Sequence, residues 1–220
     1  MKLLEELGLT MLPSKLFGLT ARPTYQPRYS DNESSPHPVL HKFYNKSQQD
    51  NSPRVMAKVK EVVEGLPNGY GILEIGVALY KPEYSFSYHL MNHKPENTIY
   101  LGVDLEDKSF LNQPDKKVYT LRTNSANQAE IRLAIRRFGI EQLSLLVIDG
   151  CHSLNMAIND WAYVDLLMPG GIVLIHDTNT WFGPVALVNS IDRTMFDVEM
   201  FFREYDDDYG LTLARIRCNT

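Results

Sequence analysis

The sequence predicts an α/β protein: a doubly wound, mostly parallel seven-stranded sheet that ends in an antiparallel C-terminal hairpin. Three observations lead there. The runs "YGILEIGV", "TIYLGVDL", "KVYTLRTN", "SLLVIDG" and "GGIVLIHDT" are apolar at nearly every position, the pattern of strands covered on both faces. The stretches "YSFSYHLMNH", "NQAEIRLAIRRFG" and "NMAINDWAYVDLLMPG" lie between runs and read as helices, and strand–helix alternation implies a parallel sheet. Lastly, "VEMFFREYDDDYGLTLARIR" reads as two strands joined by an acidic turn.

Residues 1–52 form a Pro-, Ser-, Asn- and Tyr-rich arm with little periodicity. It carries Tyr25, Tyr29, His37 and His41, and a lid and a homodimer contact are both open for it. The main domain begins at 53 with a helix whose apolar residues Val55, Met56, Val59, Val62, Val63 and Leu66 fall at helical spacing; Pro67 and Gly69 stop it. At 220 residues and 44% hydrophobic content, the chain supports one substantial core.

The formal charge of −5 lacks a basic block, which disfavours a nucleic-acid partner. Cys151 and Cys218 match neither a metal spacing nor a redox pair and read as ordinary thiols. No apolar run reaches the ~20 residues of a membrane span. The N-terminus carries Glu5 and Glu6 where a secretory signal would be apolar, so the expected location is cytoplasmic.

In such sheets, ligands sit at the carboxyl ends of the strands, near the point where strand order reverses. Four acids close or nearly close strands at that edge: Glu74, Asp104, Asp149 and Asp177. Gly76 opens the turn after the first strand and allows close backbone approach. About 30 residues on, Asp104 stands where an acid accepts hydrogen bonds from ribose hydroxyls. Asn124 and Ser125 end the third strand with small polar groups suited to an adenine edge.

Over about residues 55–217, the ordered set "EIG", "GVD", "IDGCHS", "LMPGG" and "HDT" resembles the class I S-adenosylmethionine-dependent methyltransferases, which are Rossmann-like. It is most similar to the O-methyltransferase-like branch with Ile-Asp-Gly-x-His-Ser and His-Asp-Thr motifs, some members of which are magnesium-dependent. The resemblance implies methyl transfer from S-adenosylmethionine to a hydroxyl of a small-molecule acceptor, assisted by Mg or another divalent cation. Glu74 and Gly76 would lie by the methionine part of the cofactor, Asp104 by the ribose, and Asn124 and Ser125 by adenine. Asp149 would also face the cofactor. Asp149, Asp177 and Thr178 would hold the metal, with Asp149 and His152 at the reaction centre. One departure stands out: "GVALYKPEYSFS" lacks the family's second glycine, and Ser85 or Ser87 would take the family's serine role.

Simpler roles are open for several of these residues. Asp149 suits a turn or a helix cap, His152 a loop hydrogen bond, and His176 a satisfied core or shell position. Asp160 suits capping or helix packing. Trp161, Tyr163 and Leu167 suit the core, whereas Trp181 and Phe182 fall in a loop where they would flank an acceptor ring. Two competing functions remain: a catalytically silent scaffold, favoured by the altered glycine motif, and a nicotinamide-dependent dehydrogenase. The missing Gly-x-Gly-x-x-Gly fingerprint disfavours the second.

Overall fold

The computed structural model describes residues 18–19, 52–78, 84–179, 181–202 and 209–218. The rest of the N-terminal arm, residues 79–83 of the altered loop and the acidic stretch 203–208 lie outside those residues. The strands are β1 Gly71–Ile75, β2 Ile99–Asp104, β3 Val118–Arg122, β4 Leu143–Ile148, β5 Leu167–His176, β6 Phe196–Phe201 and β7 Leu211–Ile216. They form one sheet in the order β3-β2-β1-β4-β5-β7-β6. The first five run parallel, and β7 is antiparallel to both β5 and β6. Strand order therefore reverses between β1 and β4, where a crevice opens at the carboxyl edge.

The helices are α1 Pro53–Glu64, α2 Phe86–His93, α3 Gln128–Arg137, α4 Leu154–Trp161 and α5 Phe182–Ser190. Alternation along each strand divides the core in two. On β1, Ile72 faces α1 and α2, while Leu73 and Ile75 face α3, α4 and α5. Ser52, Ser85 and Ser153 start α1, α2 and α4 by accepting backbone N–H groups with their hydroxyls. Among the described residues, no helix is long and apolar enough to cross a membrane.

Two elements differ from the sequence reading. The strand placed at "GGIVLIHDT" starts earlier, at Leu167, after a 3-10 turn over Ala162–Leu166. A register shift between Leu143 and Leu145 in the pairing with β4 absorbs the extra residues. Helix α5 was not expected at all, and Phe182 is its first residue rather than part of a loop. Gly183 through Val188 are all buried, so the helix has no exposed polar stripe to create a helical period. Its Gly183 lies against α4, where an added Cβ would come within 2.8 Å of Leu154 N and would clash with the His152 carbonyl oxygen.

Replacing Gly183 with alanine should therefore force α4 and α5 apart. An overpacking cost of about 1–3 kcal/mol is expected, read as a lower urea midpoint at unchanged slope.

Candidate functional site

The carboxyl edge is assembled by backbone contacts between strand ends. Gly76 has φ +90°, and a Cβ there would collide with the Asp149 carbonyl oxygen. The Asp149 N–H donates to Ile75 O at 3.0 Å, and the Gly76 N–H donates to Val103 O at 2.9 Å. What Gly76 admits first is thus the neighbouring strand end. Asp104 is anchored at this turn, with Oδ2 accepting the Val77 N–H at 2.8 Å and Oδ1 the Glu106 N–H at 2.7 Å.

Two cavities adjoin here and share Ala78, Asp149 and Gly150. The larger, about 740 Å³, is lined by Gly76, Asp104, Asn124, Ser125 and Met156, among others. This volume falls in the range of small-ligand pockets. Its wall is supported from behind, because Tyr163 OH donates to Ser125 O at 2.7 Å. Below the same wall lies Asp160, fully buried in α4. Burial pushes its carboxyl up to about 6, against the lowering effect of hydrogen bonds from Ser125 and Asn159.

The smaller cavity, about 230 Å³, is lined by Glu74, Asp149, His152, His176, Asp177 and Trp181 together with Tyr84, Phe86 and Tyr209. Asp177 is central. Its Oδ2 lies 2.6 Å from His152 Nε2, and its Oδ1 lies 3.4 Å from His176 Nδ1. His176 Nδ1 is also 2.9 Å from Asp149 Oδ1. The His152 ring stacks on Trp181 with centroids 4.6 Å apart, and the His176 ring packs against Phe86 at 4.9 Å in a T-shaped arrangement.

His176 and Asp177 are consecutive, so a continuing strand would send them to opposite faces. They meet because Asp177 leaves β5 with φ +61°, a left-handed conformation uncommon outside glycine. Asp149, His176 and Asp177 each offer one ligand atom, all within 4.8 Å of one another, so the donor set fits a divalent cation.

Electrostatics follow from this crowding. Burial works against the charged imidazolium of His176, but the Asp177 and Asp149 carboxylates outweigh it and hold its pKa well above the ordinary value. Asp177 moves the other way: burial would raise it, and His176 and His152 hold it well below the usual range. For Asp149, burial prevails over the lowering effect of His176 and raises the carboxyl. His152 is raised, its hydrogen bond and attraction to Asp177 exceeding the cost of burial.

Glu74 points to the α2 side of the sheet and is completely buried. Its carboxylate accepts hydrogen bonds from Tyr100 OH and, at 3.0 Å, from Ser87 Oγ. Burial is the largest influence and pushes its pKa up to about 8, opposed by those two hydrogen bonds.

The structure brings Glu74, Gly76, Asp104, Asn124, Ser125, Asp149, His152 and Asp177 to these two adjoining cavities. Thr178 is different: its hydroxyl accepts a hydrogen bond from Thr212 Oγ1 at 3.1 Å and is buried. Ser87 binds Glu74, whereas Ser85 donates to Ala78 O and caps α2. His176 is buried and bonded to Asp149, in keeping with the satisfied core or shell role expected of it, and the structure adds its place between the two aspartates. The sequence reading missed Tyr100, whose hydroxyl lies on β2 one strand away from Glu74.

No protein-family model matches the sequence, and no curated protein matches it. Solved structures do match in fold. The MycE methyltransferase of the mycinamycin biosynthetic pathway, in complex with Mg and SAH, aligns at TM-score 0.53 and 17% identity over 81% of this chain and 54% of that one. The chain thus spans about half the length of that protein. An O-methyltransferase from Bacillus cereus, in complex with SAH, aligns at TM-score 0.55 and 13% identity over 81% and 89% of the two chains. The N-methyltransferase NodS from Bradyrhizobium japonicum, also in complex with SAH, aligns at 0.51 and 13% identity over 83% and 99%. The chain therefore has the Rossmann-like α/β fold found in these methyltransferases, and at such identities the shared property is the fold.

The Glu74 shift has a testable consequence for stability. Between the ordinary value of 4.5 and about 8, the folded protein holds a proton that the unfolded chain releases. The Glu74 contribution is therefore complete at low pH and lost as the pH rises through about 8. Urea melts across pH 5–8 should show a shallower fall for Glu74→Gln than for the wild type.

Proposed function

We propose that the protein transfers a methyl group from S-adenosylmethionine to a hydroxyl of a small-molecule acceptor, with a divalent cation, magnesium or another, at Asp149 and Asp177. The observation that carries this reading is the pair of cavities meeting at Asp149. One is lined by the strand-end residues suited to a nucleoside, and the other by acids and histidines suited to proton removal. The likeness in fold to methyltransferases crystallised with SAH supports it.

In this reading, Asp104 accepts the ribose hydroxyls, Asn124 and Ser125 border adenine, and Glu74 and Gly76 border the methionine part. S-adenosylmethionine supplies an electrophilic methyl group, and a bound cation would lower the pKa of the acceptor hydroxyl. An alcohol or phenol with a pKa near ~10 or above needs such help at neutral pH. His152 supplies a second route, as general base. Its Nε2 is committed to Asp177, so proton transfer would use Nδ1, with Asp177 fixing the tautomer as the carboxylate does in a His–Asp pair. Trp181 holds the imidazole plane by stacking. Holding donor and acceptor in neighbouring cavities supplies the proximity on which a bimolecular displacement depends.

Calorimetric titration of S-adenosylhomocysteine tests the reading. Micromolar binding is expected, weakened at least about tenfold in Asp104→Ala through loss of hydrogen bonds to a charged group. No binding to the wild type would overturn it and favour a silent scaffold. Once an acceptor is found, His152→Ala should lower kcat by about 10²–10⁴ with little change in S-adenosylhomocysteine affinity.

A further inference from the structure

We propose that Asp149, His176 and Asp177 bind a first-row transition-metal dication with His176 Nδ1 as a ligand in its own right, and that this nitrogen makes the site prefer such an ion over magnesium. The role of the ion rests on the methyl-transfer reading, whereas its binding rests on geometry.

Ligand atoms about 2.1 Å from a metal ion lie about 3.0 Å apart across a right angle and about 3.4 Å apart across a tetrahedral one. The separations from His176 Nδ1 to Asp149 Oδ1 and Asp177 Oδ1 are 2.9 and 3.4 Å. Both separations match such edges, as they also match hydrogen bonds from the imidazole, and all three ligand atoms lie within 4.8 Å of one another. The left-handed turn at Asp177 gives these two neighbours a common target. His152 holds Oδ2 of Asp177 at 2.6 Å, leaving Oδ1 on the cluster side. A hydrogen bond to the second oxygen of a ligating carboxylate is the usual support of a metal site.

The donor set indicates which ion fits. Magnesium takes oxygen ligands in near-octahedral geometry, whereas imidazole suits the later divalent metals. The oxygen next along the chain, on Thr178, is engaged with Thr212. In its place stands an imidazole 5% exposed, which meets both carboxylates through Nδ1 and whose Nε2 has no hydrogen-bond partner among the described residues. The ring is held in place by Phe86 and Tyr209.

The test uses Mn²⁺ on the full chain, with calorimetry for affinity and pulsed electron paramagnetic resonance for ligand identity. Mn²⁺ should bind at least about tenfold more tightly than Mg²⁺, and its echo should carry ¹⁴N modulation. His176→Gln should remove that modulation and narrow the Mn²⁺ preference, whereas His152→Gln should keep the modulation. Because His176 is buried and its variant is at risk of misfolding, ¹⁵N-histidine-labelled protein in the His152→Gln background gives a second readout. The ¹⁴N signal should then give way to that of ¹⁵N. Mn²⁺ bound without nitrogen modulation would overturn the proposal, leaving His176 as a hydrogen-bond donor to two carboxylates. Failure to bind Mn²⁺ at millimolar concentration would overturn it too. S-adenosylhomocysteine titrated into the same samples separates the two readings: binding of it without Mn²⁺ sinks the metal site alone, and Mn²⁺ without it sinks methyl transfer alone.

Discussion

The left-handed turn at Asp177 is the constraint on which the candidate site depends. It follows directly on β5, whose last residue faces α2, and it returns the next side chain to the same spot. Without it, the carboxylate would leave with the opposite face of the sheet, away from His176. With it, Asp177 links two histidines through its two oxygens, while Asp149 approaches His176 from the neighbouring strand. A non-glycine residue persists in this conformation only where its surroundings over-determine it, and here both oxygens are held.

The scaffold supplies that rigidity by packing rather than by charge. Parallel strands β1, β4 and β5 are apolar on both faces and sandwiched between α1 and α2 on one side and α3, α4 and α5 on the other. Within this core, the polar groups at the carboxyl edge are desolvated, so each carboxylate responds strongly to its immediate partner. Glu74 and Asp160 are held toward the protonated form by burial, whereas Asp177 stays ionised between two histidines. Neighbouring acids with pKa values driven apart are what a site for proton transfer or cation binding needs.

Much of this was legible in the sequence because buried parallel strands read as unbroken apolar runs, and an acid after such a run marks the ligand edge. Glu74, Asp104, Asp149 and Asp177 were visible on that ground, and the alternation with helices placed them on one edge. Helix α5 was not visible, because burial on every side erases the helical period. His176 is the satisfied core or shell histidine that the sequence suggests, but period-two alternation sends it away from Asp177, and nothing in the string "HDT" announces the positive φ that brings the two together.

The sequence by itself determined the fold class, the order of the strands and of the helices before α5, and the edge at which the acids gather, since these follow from hydrophobic periodicity and local turn chemistry. Only the tertiary structure decided which of those acids share one point. That choice depends on the β3-β2-β1-β4-β5-β7-β6 order, on the Gly76–Asp149 backbone approach and on the Asp177 turn. Each is a contact between residues distant in sequence or a backbone angle fixed by such contacts, and no local pattern encodes it.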